Sequence, residues 1–256
     1  MNGDIVATAP IISMSYGLIV MVFLASFAGV VIQSTSGFGY AITLMSVLPL
    51  LVPDLSIAVA ATGIITTIQS IISAWRYRKG AQWKLLLPLC GCFLVTNFLA
   101  IRFAATHPVG TLRRPMGVFL IILAAYFMFF ASKIKIKGSP MAGCMTGCIS
   151  GVVGGLFSIP GPPVVVYLLS ATSSNAAYMA TLQLFFSCTG IYTAIIRFAN
   201  GLITYSVLMI TVPAIIGLVI GGKFGARLFG KLDPMRLRRL VYTIMAASGL
   251  SMLITG

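Results

Sequence analysis

Acidic residues are almost absent from this chain. Its only carboxylate side chains are Asp4, Asp54 and Asp233, and it contains no glutamate in 256 residues. Proton relays inside membranes usually use Asp, Glu or His side chains. The single histidine, His107, lies in a linker beside a proline. We therefore expect neither carboxylate-based proton coupling nor aspartyl-type intramembrane proteolysis.

Other patterns typical of enzymes and metal sites are missing too. The chain has no nucleotide-binding loop of the G-x-x-x-x-G-K-[ST] type and no Ser/His arrangement typical of a hydrolase. Its cysteines are odd in number and include no Cys-x-x-Cys pair, which argues against a disulfide framework or a zinc site. They are Cys90, Cys92, Cys144, Cys148 and Cys188, and we expect them to behave as small apolar residues. We predict no enzymatic activity, no catalytic residue, no cofactor and no metal.

Apolar residues dominate what remains. They make up 59% of the chain against 8% charged residues, and the mean hydropathy is +1.07. This composition predicts an integral membrane protein with about six to eight crossings. The net charge of +14 comes from Lys and Arg at the ends of apolar runs, which is typical of topology signals rather than of nucleic-acid binding. The first 75 residues contain no Lys or Arg, so we expect no cleavable signal peptide.

Ten apolar runs follow one another along the chain. They cover residues 10–33, 40–52, 55–75, 84–104, 115–132, 141–157, 162–171, 176–196, 204–222 and 239–255. The second and seventh are too short to cross a hydrocarbon core about 30 Å thick. Each follows directly on a break rich in Gly and Ser or in Gly and Pro.

The second half of the chain resembles the first at low identity. A shift of 121 residues brings Arg76 onto Arg197, Gly80 onto Gly201 and Thr66 onto Ser187. We predict an all-α polytopic membrane protein whose single transport domain, residues 1–256, contains two structural repeats, 10–132 and 141–255. Each repeat is a broken or re-entrant segment followed by three transmembrane helices.

Basic linkers set the expected orientation. The linkers after residues 75, 132 and 222 contain "RYRKGAQWK", "KIKIK" and "KFGARLFGKLDPMRLRR", which places them in the cytoplasm. All three share one face only if the second broken segment enters and returns. The two halves are then inverted, an arrangement typical of secondary transporters. The linker "THPVGTLRR" does not fit, since its two arginines would lie outside.

The two breaks are the candidate anion-binding elements. Backbone that reverses within hydrocarbon is tolerated where it is buried in protein or lines a wet cavity. Free N–H groups at the starts of half-helices favour anions, and Ser, Thr and Gln add side-chain donors. Packing kinks are the alternative interpretation. The candidates at the breaks are Gln33, Ser34, Thr35, Ser36, Gly37, Phe38, Gly39, Ser158, Pro160, Gly161 and Pro162.

The helices after the breaks add polar candidates. Thr62, Thr66 and Gln69 share one helical face, and their repeat mates are Gln183, Ser187 and Gly190. Gln69 and Gln183 are predicted to bind substrate, with helix–helix hydrogen bonding as the alternative. Arg76 and Arg197 could attract an anion at opposite mouths of the protein, although snorkelling to the interface is the role we favour.

Both breaks, "QSTSGFGYAITLMSVLPLLVP" and "TGCISGVVGGLFSIPGPPVVVYLL", resemble the paired signature of the TauE/SafE family. This family comprises sulfite and organosulfonate exporters and is also called the toluene-sulfonate uptake permease family. The resemblance covers essentially the whole chain, including the basic "WRYRKG". It implies transport of small sulfur-containing anions such as sulfite or sulfoacetate. Many members have a fuller glycine run where this chain has Ser36-Gly37-Phe38-Gly39 and Pro160-Gly161-Pro162-Pro163.

These observations lead to one main hypothesis and two alternatives. We expect an exporter of small sulfur-containing anions in the bacterial inner membrane, driven by the membrane potential or weakly coupled. The alternatives are an anion channel and a membrane scaffold without transport. The expected partners are the anion and the lipid bilayer, with a homodimer left open and no nucleic acid.

Overall fold

The computed structural model describes residues 15–77, 80–129, 138–228 and 234–255, and in this part of the chain every regular element is a helix. A 3-10 turn, Val109–Leu112, precedes the fifth α-helix. The α-helices are α1 Tyr16–Ser36, α2 Tyr40–Leu51, α3 Leu55–Tyr77, α4 Trp83–Thr106, α5 Arg113–Phe129, α6 Pro140–Phe157, α7 Gly161–Ala171, α8 Asn175–Ala199, α9 Tyr205–Leu228 and α10 Pro234–Thr255. The "KIKIK" linker, used above to orient the chain, lies outside the described residues.

Seven helices in the described segments are long and apolar enough to cross a membrane, namely α1, α3, α4, α5 with its preceding turn, α6, α8 and α9. The chain is therefore a multi-pass membrane protein, and the all-α prediction is confirmed. The two short helices, α2 and α7, follow the two breaks, as the lengths of the apolar runs predicted.

Each short helix doubles back along the helix before it. In the first hairpin, the hydroxyls of Ser26 on α1 and Tyr40 on α2 are 2.6 Å apart. In the second, the hydroxyl of Tyr167 on α7 donates to the carbonyl oxygen of Ser139 at 3.2 Å, just before α6 begins. Neither α2 nor α7 therefore continues in the direction of the helix before it.

Glycine allows each hairpin to pack closely on a helix from the other half of the chain. Gly147 and Gly151 of α6 lie against the backbone of α4, and Asn97 of α4 donates to the carbonyl oxygen of Gly151 at 3.2 Å. In the same way, Gly217 and Gly221 of α9 lie against the backbone of α1. Small residues at these positions let the helix axes approach. The α6 glycines recur every four residues from Gly143 to Gly155, a pattern that our sequence analysis did not use.

A disulfide joins two of the packed helices. Cys92 of α4 and Cys144 of α6 are bonded, with their Cα atoms 5.4 Å apart. The expectation that all five cysteines act as unpaired apolar residues is therefore wrong for these two. The two residues are 52 positions apart in the sequence, and only the side-by-side packing of α4 and α6 brings them together.

Helix boundaries in the two halves correspond closely. Moving α2, α3 and α4 forward by 121 residues reproduces the bounds of α7, α8 and α9 to within one residue. The corresponding helices α3 and α8 pack antiparallel, because Gly63 faces Arg197 while Thr67, further along α3, faces Gly190. The inverted relation of the halves stays a prediction, and antiparallel packing of corresponding helices is what it requires.

Candidate functional site

Both breaks line one internal space, which we call the inner cavity. Its remaining walls come from the middle of α3, from α8 between its middle and its end, and from Phe93 of α4 and Gly154 of α6. Its volume is about 60 Å³, room for roughly four to six water molecules. The predicted residues that line it are Gln33, Phe38, Gly39, Gln69, Ser158, Pro160, Gly161 and Pro162.

The first break reverses the chain through two glycines. Gly37 and Gly39 have φ of 77° and 111°, a region that glycine adopts without steric cost. The side-chain oxygen of Gln33 accepts the N–H of Tyr40 at 3.1 Å. The next two residues of α2, Ala41 and Ile42, line the inner cavity, and their N–H groups have no acceptor within the helix. The first break thus directs donors and the positive end of the α2 dipole to the cavity.

The second break is built differently. Ser158 ends α6 with φ of 57°, and it is the only non-glycine residue with positive φ in the described segments. Pro160, which precedes α7, and Pro162 and Pro163 in its first turn have no N–H group, so Gly161 alone offers a donor among these four positions. The second break therefore presents fewer free N–H groups than the first.

Ser158, predicted as a donor to the substrate, makes two hydrogen bonds within the protein. Its hydroxyl donates to the carbonyl oxygen of Val59 on α3 at 2.8 Å. It also accepts a hydrogen bond from Arg197 at 2.6 Å. The side chain lines the inner cavity, but its only proton is donated to α3, so it links the break to α3 and α8.

Hydroxyl groups cover the walls contributed by α3 and α8. The hydroxyl-bearing residues of these two helices that line the cavity are Thr66, Thr67, Ser70, Thr189 and Thr193. Most of these hydroxyls donate to a carbonyl four residues earlier in their own helix, and rotation can redirect them to a ligand. Of these five residues, sequence reasoning selected only Thr66. The signal available was the clustering of Thr and Ser around Gly63 and Gly190, where glycine lets the two helices meet.

A larger space adjoins the inner cavity, and we call it the basic vestibule. Its volume is about 680 Å³, and Arg76 and Lys223 line it. Gln33 and Gln69 line both spaces. The side-chain amide of Gln33 donates to the oxygen of Gln69 at 2.8 Å, and Gln69 donates to Ser73 at 2.8 Å. This pair of glutamines stands at the boundary between vestibule and cavity.

The remaining predicted residues lie elsewhere. Ser34 and Gln183 line the vestibule rather than the inner cavity. Gln183 donates to the carbonyl oxygen of Gly37 at 2.8 Å, so it holds the first break in place. Thr35 and Ser36 belong to the last turn of α1, and their side chains lie outside the described part of the structure.

Snorkelling, the role we favoured for Arg197, is wrong. This residue is on the last turn of α8, yet it is only 3% exposed. Its guanidinium donates to the carbonyl oxygens of Val59, Gly154 and Gly155 and to the Ser158 hydroxyl, at 2.6 to 3.3 Å. Arg76, its repeat mate, is exposed at the vestibule.

A family model described as sulfite exporter TauE/SafE matches residues 21–252, a range that includes both breaks and both spaces. No curated protein and no solved structure matches the chain.

Proposed function

Since the chain belongs to the sulfite exporter TauE/SafE family, we propose that it is a transporter that moves small sulfur-containing anions, sulfite or short sulfonates, out of a bacterial cell across the inner membrane. Membership of the family supports the general activity, export of small anions. The binding site, the choice of anion and the energetics are proposals that rest on the two spaces described above.

Convergence of the two breaks on one cavity is the observation that supports the binding site best. The first break directs N–H donors to the cavity, α3 and α8 add hydroxyls, and Gln33 and Gln69 add amides. No described residue lining the inner cavity or the basic vestibule carries a carboxylate. A lining of donors without fixed negative charge favours an anion over a cation.

The size of the inner cavity limits the substrate. Sulfite has four heavy atoms and methanesulfonate has five, which suits a space of about 60 Å³. An arenesulfonate has at least twice as many heavy atoms as methanesulfonate and would require the walls to move. We therefore propose that sulfite and one- or two-carbon sulfonates are the substrates.

The arrangement of the two spaces favours a transporter over an open channel. Anions would collect in the basic vestibule beside Arg76 and Lys223 and reach the inner cavity past the Gln33–Gln69 hydrogen bond. A closed polar contact at this boundary must open in each cycle, so flux should saturate and show counterflow. Linear, non-saturating flux would favour the channel instead.

The inverted arrangement can be tested by labelling. In a protein that keeps the disulfide-bonded Cys92 and Cys144 but has its other cysteines replaced, Asn200→Cys should react with a membrane-impermeant maleimide from the periplasm. Gly80→Cys should react only from the cytoplasm. Labelling of position 200 only from the cytoplasm would show that α6 and α7 cross the membrane together.

The membrane potential should drive transport. A monovalent anion gains about 2.3 kcal/mol per 100 mV when it leaves an inside-negative cell. At about 1.4 kcal/mol per factor of ten, this sustains a gradient of more than tenfold. We expect sulfoacetate flux in proteoliposomes to follow a potassium-diffusion potential and to ignore a pH gradient at zero potential. Concentrative uptake driven by a pH gradient alone, with no response to voltage, would refute the uncoupled mechanism.

A further inference from the structure

Arg197 is a buried positive charge whose four hydrogen-bond partners are all neutral. Burial of a charged group is costly unless an opposite charge compensates it. The described segments contain a single carboxylate side chain, Asp54, whose oxygen accepts hydrogen bonds from the backbone and hydroxyl of Ser56. The charge of Arg197 is therefore solvated by dipoles and not neutralised by an ion.

The guanidinium is separated from the inner cavity by a wall one residue thick. Gly154 and Ser158 accept hydrogen bonds from Arg197 and also line the cavity. Gly63 lines it too, and a Cβ atom added to Gly63 would lie 2.6 Å from the guanidinium nitrogen Nη1. Across a wall of this thickness, a charge in a medium of low dielectric constant still acts on a ligand.

Arg197 supplies positive charge at the second break, which has few N–H donors. The three prolines remove donors from the start of α7. The end of α6 points its carbonyl oxygens, the negative end of the helix dipole, towards the same place. Arg197 donates hydrogen bonds to the carbonyl oxygens of Gly154 and Gly155 in the last turn of α6. The charge offsets the negative potential that an anion would otherwise meet there.

We propose that Arg197 is the positioning residue that gives the inner cavity its preference for anions: it supplies a fixed positive charge through the wall without touching the ligand. This inference rests on the proposed function and extends it to charge selectivity. For an anion about 7 Å from the guanidinium and an effective dielectric constant of about 20, the attraction corresponds to a roughly 50-fold gain in affinity.

The test uses two probes of nearly equal shape, methanesulfonate, which is an anion, and methanesulfonamide, which is neutral. Their affinities for the purified full-length protein are measured by competition against radiolabelled methanesulfonate. Wild type should prefer the anion by at least about 30-fold. Arg197→Met should lose most of this preference, whereas Arg197→Lys, which keeps the charge but not the planar fork, should retain most of it. Arg102→Met removes an equal charge from an exposed position on α4 and should leave the preference as in wild type.

Each outcome of this experiment either supports or overturns the proposed role of Arg197. Equal preference in wild type and a folded Arg197→Met protein overturns the inference while leaving the proposed function intact. If Arg197→Met does not yield folded protein, Arg197→Lys decides: retained preference supports the role of the charge, and lost preference in a folded protein overturns it. Failure of wild type to bind any sulfonate or sulfite would instead refute the proposed function, and the inference with it.

Discussion

Neither Gly161→Leu nor Gly39→Leu is expected to bind sulfite or methanesulfonate measurably, although both proteins should insert into the membrane. A leucine side chain has four heavy atoms, as many as sulfite, and the inner cavity has a volume of only about 60 Å³. At Gly161, the first residue of α7, the backbone accepts a side chain, but a Cβ atom would lie 3.3 Å from the ring of Phe186. The ring must therefore shift slightly, and the leucine fills the cavity. At Gly39, the positive φ of 111° adds strain of about 1–3 kcal/mol.

Gly80 provides the matched control for that strain. It has φ of 110°, nearly the same as Gly39, and a Cβ atom added there would meet no neighbouring atom within 4 Å. Gly80→Leu should therefore lower the melting temperature about as much as backbone strain does at Gly39, yet bind the anion as wild type does. Calorimetric titration of the three purified variants in detergent measures their affinities for the anion and allows the comparison. Unaltered binding by folded Gly161→Leu protein would reduce the breaks to packing kinks.

Gln69→Glu is expected to lower anion flux at least about 100-fold. The new carboxylate has almost the shape of the amide and can still accept from Gln33. The Ser73 hydroxyl, which accepts from Gln69 in the wild type, can rotate and donate to the carboxylate instead, so folding should be preserved. It places a negative charge where the vestibule meets the inner cavity. At about 5 Å and an effective dielectric constant of about 20, repulsion of a passing anion costs about 3 kcal/mol.

The protonation of this glutamate supplies an internal check. Methanesulfonate is ionised throughout the range from pH 4 to pH 8, whereas a glutamate carboxyl with its ordinary pKa of about 4.3 is only about one-third ionised at pH 4 and fully ionised at pH 8. Flux through Gln69→Glu should therefore fall further below wild type at pH 8 than at pH 4. Gln82→Glu makes the same chemical change before α4, where Gln82 donates to Ser173, and should leave flux as in wild type. Normal flux through Gln69→Glu at pH 8 would mean that the anion takes another route.

Local sequence signals predicted the fold well. Short apolar runs after Gly-rich and Pro-rich breaks gave α2 and α7, because the length of an apolar run and the effects of glycine and proline are properties of the chain itself. The same signals selected Gly39, Gly161 and the intramembrane Gln69 as candidate site residues, and all three line the inner cavity. The family resemblance, which the match over residues 21–252 confirmed, came from these stretches.

Features that depend on packing between distant segments could not be predicted in this way. An arginine at the end of an apolar run has the same sequence pattern whether it reaches the interface or turns inwards. Arg197 turns inwards because it donates hydrogen bonds to the carbonyl oxygens of Val59 and Gly155, which belong to distant segments of the chain. The Cys92–Cys144 bond depends on the register between α4 and α6. Gln183 was assigned to substrate, but its amide is bound to the first break.

The glycine-lined packing of each hairpin on a helix of the other half has a mechanical consequence. The chain halves are interleaved, since α6 is bound to α4 through glycine contacts and a disulfide, and α9 packs on α1 through glycine contacts. A rocking motion of residues 16–129 against residues 140–255 would have to shear both contacts at once. We therefore expect any part that moves as a unit to be composite: one hairpin together with the helix of the opposite half on which it packs.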